Sequence, residues 1–245
     1  MTPPDGSKRN RSRRSLCVWA ALAAVGSAGC ENEIRPSGPD IAILESPSGT
    51  AMTATLDNPL LSLKKGNFWE MMAYRQNVGS SEVTVTRDRY VVHGPITVGG
   101  IAATEIRILR NGKTWRREVY RMNGPVLELV AAQDENSELM RYSPPVPLFK
   151  YPVREGDYLN WAGTFTIRGE TLAARALSRI SGQETVQTPA AVFKTLRVDT
   201  MIALGDGQIK FPSARWFAPG VGFVRRGYAE MKNPASAEVV RFGGQ

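Results

Sequence analysis

The chain has 245 residues, 42% of them hydrophobic, and 31 Lys and Arg against 23 Asp and Glu give a formal net charge of +8. The first 29 positions, which have the features of a cleavable leader described below, contain five basic residues and one acidic residue. Without them, the chain has 26 Lys and Arg against 22 Asp and Glu. The remaining net charge of +4 favours solubility over nucleic-acid binding, and one histidine with two cysteines is too few for a multi-ligand zinc site.

The first 29 residues have the layout of a bacterial secretory signal. A basic stretch precedes an apolar run over Leu16–Val25, which is too short to span a bilayer as a mature helix. Arg13 and Arg14 fall in a segment that resembles a twin-arginine export signal, although a general secretory signal fits as well. The small residues and the cysteine that close the leader are Ser27, Ala28, Gly29 and Cys30.

This closing sequence resembles a lipobox, in which the chain is cut before a cysteine whose thiol carries a diacylglyceryl group. Ser27 stands where leucine is usual, whereas Ala28 and Gly29 fit the pattern. Cys17 is discarded with the leader, so Cys30 would be the only cysteine of the mature chain, and acylation would remove a free thiol. The alternatives are ordinary cleavage after Gly29 and a cytosolic protein with an unusual N-terminus.

The expected location is the bacterial cell envelope, with a lipid anchor at Cys30. In enteric bacteria, an Asp directly after the lipidated cysteine retains lipoproteins at the inner membrane. Here Glu31 follows the cysteine, which favours the outer membrane, on its periplasmic or surface face. Residues 31–57 are rich in turn and linker residues. We therefore predict a signal peptide over 1–29 and a lipidated cysteine with a flexible tether over 30–57.

The rest of the chain is predicted to contain one β unit used twice, over 58–145 and 146–245. Gly66 and Gly156 lie in similar sequence contexts 90 positions apart, and at the same offset Glu105–Ile108 matches Thr195–Val198. Two unrelated β regions with similar turns are the alternative reading.

Alternating side chains predict strands joined by tight turns. In the segment 104–110, Ile106 and Ile108 fall on one face, and Asn111-Gly112 then supplies a two-residue turn. Thr171–Ile180 carries a helical apolar stripe, but its place in the second unit predicts a strand. The expected fold is all-β, with two similar antiparallel units forming a meander, a curved sheet or a sandwich.

Three short motifs stand out in the predicted β region. They are Pro59-Leu60 with the later Gly66-Asn67-Phe68-Trp69, the segment Thr188–Phe193, and the stretch Trp216–Arg225 with the sequence WFAPGVGFVR. These motifs resemble those of uncharacterised β-rich bacterial lipoproteins. The resemblance implies an exported all-β architecture and carries no catalytic residues.

The sequence offers no convincing catalytic constellation. His93 is the only histidine and stands before Gly-Pro in a turn-like context, which argues against a His-containing triad. Ser62–Lys65 fits the loose Ser-x-x-Lys pattern without its partner motifs, and Asp134–Glu138 is better explained as a solvated hairpin tip than as a calcium site. We predict no enzyme activity and no cofactor, and a hydrolase ranks last.

Arginine recurs along the predicted strands and is expected on the solvated sheet face, although several on one face could grip phosphates or carboxylates of a lipid or glycan. The tryptophans after the leader are expected in the core. These arginines are Arg107, Arg110, Arg116, Arg117, Arg121, Arg197, Arg215, Arg225 and Arg226, and the tryptophans are Trp69, Trp115, Trp161 and Trp216.

These patterns lead to the expectation of an exported, lipid-anchored envelope protein with a non-catalytic binding or structural role. The rival is a periplasmic carrier of a lipid or another hydrophobic ligand, whose mark would be an open apolar cleft of several hundred cubic ångströms. The expected partners are the membrane, through the anchor, and an envelope protein or lipid; nucleic acid is not expected.

Overall fold

The computed structural model describes residues 52–76, 81–133, 138–205, 207, 209–230 and 233–244, and these residues contain strands, turns and extended segments. The strands are β1 Phe68–Gln76, β2 Val83–Val98, β3 Ile101–Arg110, β4 Lys113–Asn123, β5 Val126–Gln133, β6 Met140–Lys150, β7 Tyr158–Ile167, β8 Glu170–Gln187, β9 Val192–Leu204, β10 Ile209–Ala218, β11 Gly222–Glu230 and β12 Asn233–Gly243.

The strands form one closed antiparallel barrel in which each strand lies beside its neighbours in the sequence and β1 closes on β12. At the closing seam, Phe68 lies opposite Gly243 and Arg75 lies opposite Ala235. The predicted all-β, antiparallel fold class is therefore confirmed. The boundaries proposed for two units stay a prediction, and the strands of both regions continue around the same barrel.

Strand β8 contains the segment whose apolar spacing also fits a helix. Its burial alternates residue by residue, so that Ala174, Ala176 and Ile180 are buried while Leu172 and Leu177 are exposed. Backbone pairing with β7 on one side and β9 on the other holds this segment extended. The strand predicted for Thr171–Ile180 is thus confirmed, because pairing on both edges overrides the local helical pattern.

The barrel has two distinct ends. The chain enters at the end where β1 begins, and we call this the entry end. There Ala54 forms a bridge with Val153, and the Leu60 backbone N–H donates to the Tyr151 hydroxyl at 2.9 Å. The opposite end, which we call the far end, includes the turn between β3 and β4. Met52 and Ala54, which lie within the stretch assigned to the tether, therefore contact the barrel.

At the entry end, two of the three motifs that resemble those of the lipoproteins meet, the one that begins at Pro59-Leu60 and the stretch Trp216–Arg225. The Trp69 indole N–H donates to the Val221 carbonyl at 2.6 Å, and the Gly220 N–H donates to the Pro59 carbonyl at 3.1 Å. Gly222 has φ +99°, and a Cβ there would lie 2.5 Å from the Trp69 ring. Only glycine accommodates both this backbone conformation and this approach of the indole.

One backbone hydrogen-bond pattern occurs twice in the barrel. Gly66 N–H donates to the Val92 carbonyl, and Val92 N–H donates back to Asn67. In the same way, Gly156 N–H donates to Ile180 and Ile180 N–H donates to Asp157, with a strand irregularity following both Val92 and Ile180. This likeness supports the hypothesis of a duplicated unit, which stays a prediction.

Strands β6 and β7 diverge along most of their length. Their pairing covers only Arg141–Ser143 opposite Thr164–Thr166. Immediately beyond, β6 contains Pro144, Pro145 and Pro147, which have no backbone N–H to donate to a ladder. The barrel wall is therefore interrupted toward the entry end.

Candidate functional site

Several predicted site residues lie outside the residues that the structure describes. These are Arg13, Arg14, Ser27, Ala28, Gly29 and Cys30, together with Asp134–Ser137 of the acidic cluster. Their assignments stay predictions.

The two weak catalytic candidates occupy ordinary positions. His93 is exposed within β2, at an irregularity between Val92 and Gly94, so it lies in a strand rather than a turn. The Ser62 hydroxyl accepts a long hydrogen bond of 3.5 Å from the Lys64 backbone N–H. Within the described ranges, no group of three or more His, Cys, Asp or Glu side chains could hold a metal ion.

The strand arginines divide between the two faces of the barrel. Arg107, Arg117 and Arg197 are partly exposed, as predicted for a solvated face. Arg215 and Arg226 lie directly opposite each other on β10 and β11 and are only 6% and 3% exposed. The expectation of a solvated face is therefore wrong for these two, whose strand register places them at core-facing positions. It is also wrong for Arg110 and Arg116, whose side chains are 17% exposed and pair with the buried Asp88 and Glu118.

The buried arginines belong to an interior ion cluster, which we define as Arg116, Glu118, Tyr120, Arg215 and Arg226. Arg226 donates to both Glu118 oxygens, at 2.7 and 3.0 Å, and the Tyr120 hydroxyl donates to the same carboxylate at 2.6 Å. Glu118 is on β4 and Arg226 on β11, strands that are not neighbours in the barrel. This ion pair thus crosses the barrel interior and links opposite walls.

The protonation states of the cluster follow from its burial and its charges. Burial alone would raise the pKa of Glu118, but the charges of Arg226 and Arg116 and the Arg226 hydrogen bond outweigh it and hold that pKa well below its ordinary value. Burial, followed by the Glu118 charge, raises the pKa of the Tyr120 phenol. Glu118 is therefore an anion and Tyr120 a neutral donor at neutral pH.

A second buried carboxylate, Asp88, holds an arginine at the far end. Arg110 donates to both Asp88 oxygens at 2.8 Å, and Asp88 is completely buried. The Arg110 guanidinium also stacks on the Trp115 ring, 3.8 Å from its centroid. Bidentate pairing and stacking together fix the orientation of this guanidinium.

A basic cleft of about 770 Å³ surrounds the β3–β4 turn at the far end. Its cationic side chains lie on two neighbouring strands, and Arg107 is directly opposite Arg117 while Arg110 is directly opposite Lys113. The described lining residues of this basic cleft are Arg107, Arg110, Asn111, Lys113, Thr114, Trp115, Arg117 and Gln133.

The Glu105 carboxylate binds two arginines of the basic cleft. This carboxylate is 2% exposed and accepts from Arg107 Nε at 2.8 Å and from Arg117 Nη1 at 3.3 Å. Arg117 Nε also donates to the Gln133 side-chain oxygen. Glu105 follows the alternation of β3 and lies on the other face of the strand from the core-facing Ile106. Nothing in the sequence pattern indicates that its carboxylate is buried beside two arginines.

A second opening, the lateral cleft, lies where β6 and β7 diverge and has a volume of about 350 Å³. Buried Leu148, Phe149 and Ile180 form part of its lining, and charged Lys150 and Arg154 also line it. Because Ile180 belongs to the main buried core, the lateral cleft reaches core-facing residues through the wall.

The tryptophans are not all in the core. Trp69 and Trp161 are buried as predicted, at 2% and 8% exposure, whereas Trp115 and Trp216 are half-buried. The Trp216 indole N–H donates to the Glu184 carboxylate at 2.6 Å. Arg197 stacks 5.0 Å from the ring centroid. Trp115 and Trp216 therefore only pack against the edge of the core, and next to Trp216 it is Phe217 that takes the fully buried position.

No protein-family model and no curated protein sequence matches the chain. Two crystal structures have a similar backbone. One is from Parabacteroides distasonis ATCC 8503 and is provisionally described as a lipoprotein; it is 12% identical with a TM-score of 0.43, over 76% of this chain and 99% of that chain. The other is from Bacteroides fragilis NCTC 9343 and is provisionally described as an exported protein with a YmcC-like fold; it is 16% identical with a TM-score of 0.43, over 79% and 100% of the two chains. This likeness assigns neither a family nor an activity.

Proposed function

We propose that the protein is an exported, lipid-anchored envelope protein that acts by binding rather than by catalysis. The observation that carries the proposal is the basic and apolar leader closed by Ser27-Ala28-Gly29-Cys30. The described chain contains no helix that is long and apolar enough to cross a membrane. An acylated Cys30 would supply the membrane attachment.

The geometry of the barrel is compatible with this arrangement. The chain enters next to the Ala54–Val153 bridge, whereas the basic cleft around the Asn111-Gly112 turn lies at the far end. A tether that joins the barrel at the entry end would leave the far end accessible while the protein is attached. The outer membrane stays the favoured location because of Glu31.

We expect Cys30→Ala to abolish fatty-acid labelling and to release the protein from the membrane fraction. The reason is that Cys30 would be the only thiol left after cleavage, so no other residue could take the diacylglyceryl group. Metabolic labelling with a palmitate analogue and membrane fractionation of expressing cells would measure both effects.

Cys17→Ala is the matched control and should leave labelling and fractionation unchanged, since Cys17 lies in the leader. A Cys30→Ala protein that is still labelled and still sediments with membranes would refute the lipid anchor.

The second candidate function is that of a carrier, and the lateral cleft is the observation that favours it. Its volume of about 350 Å³ is within the range of small-molecule sites. Apolar Leu148 and Ile180 could contact an alkyl chain while Lys150 or Arg154 contacts an anionic head group. The polar part of the lining favours an amphiphile over a fully apolar ligand.

If the carrier hypothesis is right, residues 31–245, exported without the anchor and purified without detergent, should retain a lipid-mass adduct in native mass spectrometry. Leu159→Trp, which fills the lateral cleft, should remove that adduct. Leu172→Trp should keep it, because Leu172 is 39% exposed on β8. A bare monomer in the unmodified protein would contradict the carrier hypothesis.

A further inference from the structure

We propose that the basic cleft binds a phosphate group, carried by a sugar or by a lipid head group. This inference goes beyond the proposed lipid anchor, because it concerns the far end of the barrel and does not depend on how the protein reaches the membrane. The cleft brings four cationic side chains around one turn: Arg107, Arg110, Lys113 and Arg117.

The guanidiniums of the basic cleft are held in place before any ligand arrives. Arg107 uses Nε to bind Glu105, and Arg117 uses Nε and Nη1 to bind Gln133 and Glu105. These bonds leave further N–H groups on both side chains, which are 37% and 31% exposed. Donors fixed from behind lose little conformational entropy when they bind an oxyanion.

The described groups of this region carry excess positive charge. Its four cations are only partly offset by two buried carboxylates, Asp88 and Glu105, neither of which is among the described lining residues. The described groups therefore carry a net charge of +2, and a phosphate monoester carries about −1.5 to −2 at neutral pH. A single carboxylate would neutralise only half of this excess.

Trp115 also lines the basic cleft and fixes one of its cations. The Arg110 guanidinium lies 3.8 Å from the centroid of the Trp115 ring. This cation–π contact adds to the hydrogen bonds from Arg110 to Asp88 in holding the guanidinium in place.

Phosphate binding can be measured on the full chain with three probes. These are inorganic phosphate and glucose 1-phosphate, followed by calorimetry at low salt, and vesicles containing phosphatidic acid against phosphatidylcholine vesicles, followed by flotation. Binding of the soluble probes alone would support a sugar phosphate, whereas binding of the phosphatidic acid vesicles alone would support a lipid head group. Either result supports the proposal, and binding should weaken as salt rises.

Arg107→Gln combined with Arg117→Gln should lower the affinity for the probe that binds by about tenfold or more, because two charged donors are lost. Arg175→Gln with Arg179→Gln removes the same charge from exposed positions on β8 and should leave binding unchanged. If the first double variant fails to fold, Lys113→Gln tests the cleft at an exposed residue, with exposed Lys210→Gln as its control.

Two results would overturn the proposal. One is that none of the probes binds to the unmodified protein. The other is that the β8 double variant, or Lys210→Gln, weakens binding as much as its counterpart in the cleft, since attraction would then reflect overall charge. A failed anchor test with a positive phosphate result would reject the lipidation hypothesis and keep this site.

Discussion

Replacing Glu118 with Gln is expected to lower the free energy of unfolding by about 3–5 kcal/mol at pH 7, because it leaves the buried Arg226 charge without its carboxylate. Arg226 is 3% exposed and donates to both Glu118 oxygens across the barrel. The variant also removes the anion that accepts from the Tyr120 hydroxyl. Urea unfolding followed by tryptophan fluorescence would measure the loss.

Glu70→Gln is the matched control, because Glu70 pairs with Arg241, whose side chain is 63% exposed. This variant should lower the free energy of unfolding by about 1 kcal/mol or less, as for other exposed ion pairs. A loss of similar size in both variants would show that the interior pair contributes no more than a surface pair.

The ion pair between Glu118 and Arg226 also predicts that the stability of the protein depends on pH. The folded-state pKa of Glu118 lies below its ordinary value of 4.5, so the unfolded chain takes up the proton first as the pH falls. The stabilisation from Glu118 is thus fully present above about pH 4.5 and is lost progressively below it. Between pH 6 and pH 3, the Glu118→Gln variant should show a weaker decline in stability than the unmodified protein.

Trp69→Ala is expected to destabilise the barrel by about 3–5 kcal/mol, the usual cost of removing a large buried aromatic side chain. Trp69 is 2% exposed, packs edge-on against Phe223 at 5.2 Å between centroids, and donates to the Val221 carbonyl. Its removal would leave a cavity at the entry end and an unsatisfied carbonyl. Chemical denaturation would give the difference in free energy.

Trp216→Ala provides the comparison at a half-buried tryptophan. This variant should lower the free energy of unfolding by less than about 2 kcal/mol. The substitution removes a cation–π contact with Arg197 and a hydrogen bond to Glu184 rather than a fully buried side chain. Equal destabilisation by the two variants would contradict the assignment of Trp69 to the core and Trp216 to the outer face.

Side-chain alternation was sufficient to predict the fold class, whereas the strand at Thr171–Ile180 was predicted from its place in the second unit, against a local helical pattern. The alternation also indicates where some charged side chains lie. Ile106, Ile108 and Arg110 share one parity, and Ile106 and Ile108 are completely buried, so Arg110 should have been expected on the core side. The same argument applies to Arg215, which shares its parity with buried Phe217.

Other features could not be read from alternation. A register shift separates Phe223, which lies opposite Phe217, from Arg225, which lies opposite Trp216. This bulge reverses the parity along β11, so that Arg226 rather than Arg225 is buried. The basic cleft was missed for another reason: it depends on which strands become neighbours and on Glu105 lying beneath two arginines.

The closing seam between β1 and β12 has a consequence for how the chain folds. The contact between Glu70 and Arg241 joins residues 171 positions apart, so the ring of strands is completed by the most distant contacts in the sequence. Until residues 233–243 are in place, β1 and β11 each present an unpaired edge that can recruit another chain. Folding should therefore be slow and cooperative, and a chain that emerges in an extended form should depend on protection from aggregation until its last strand arrives.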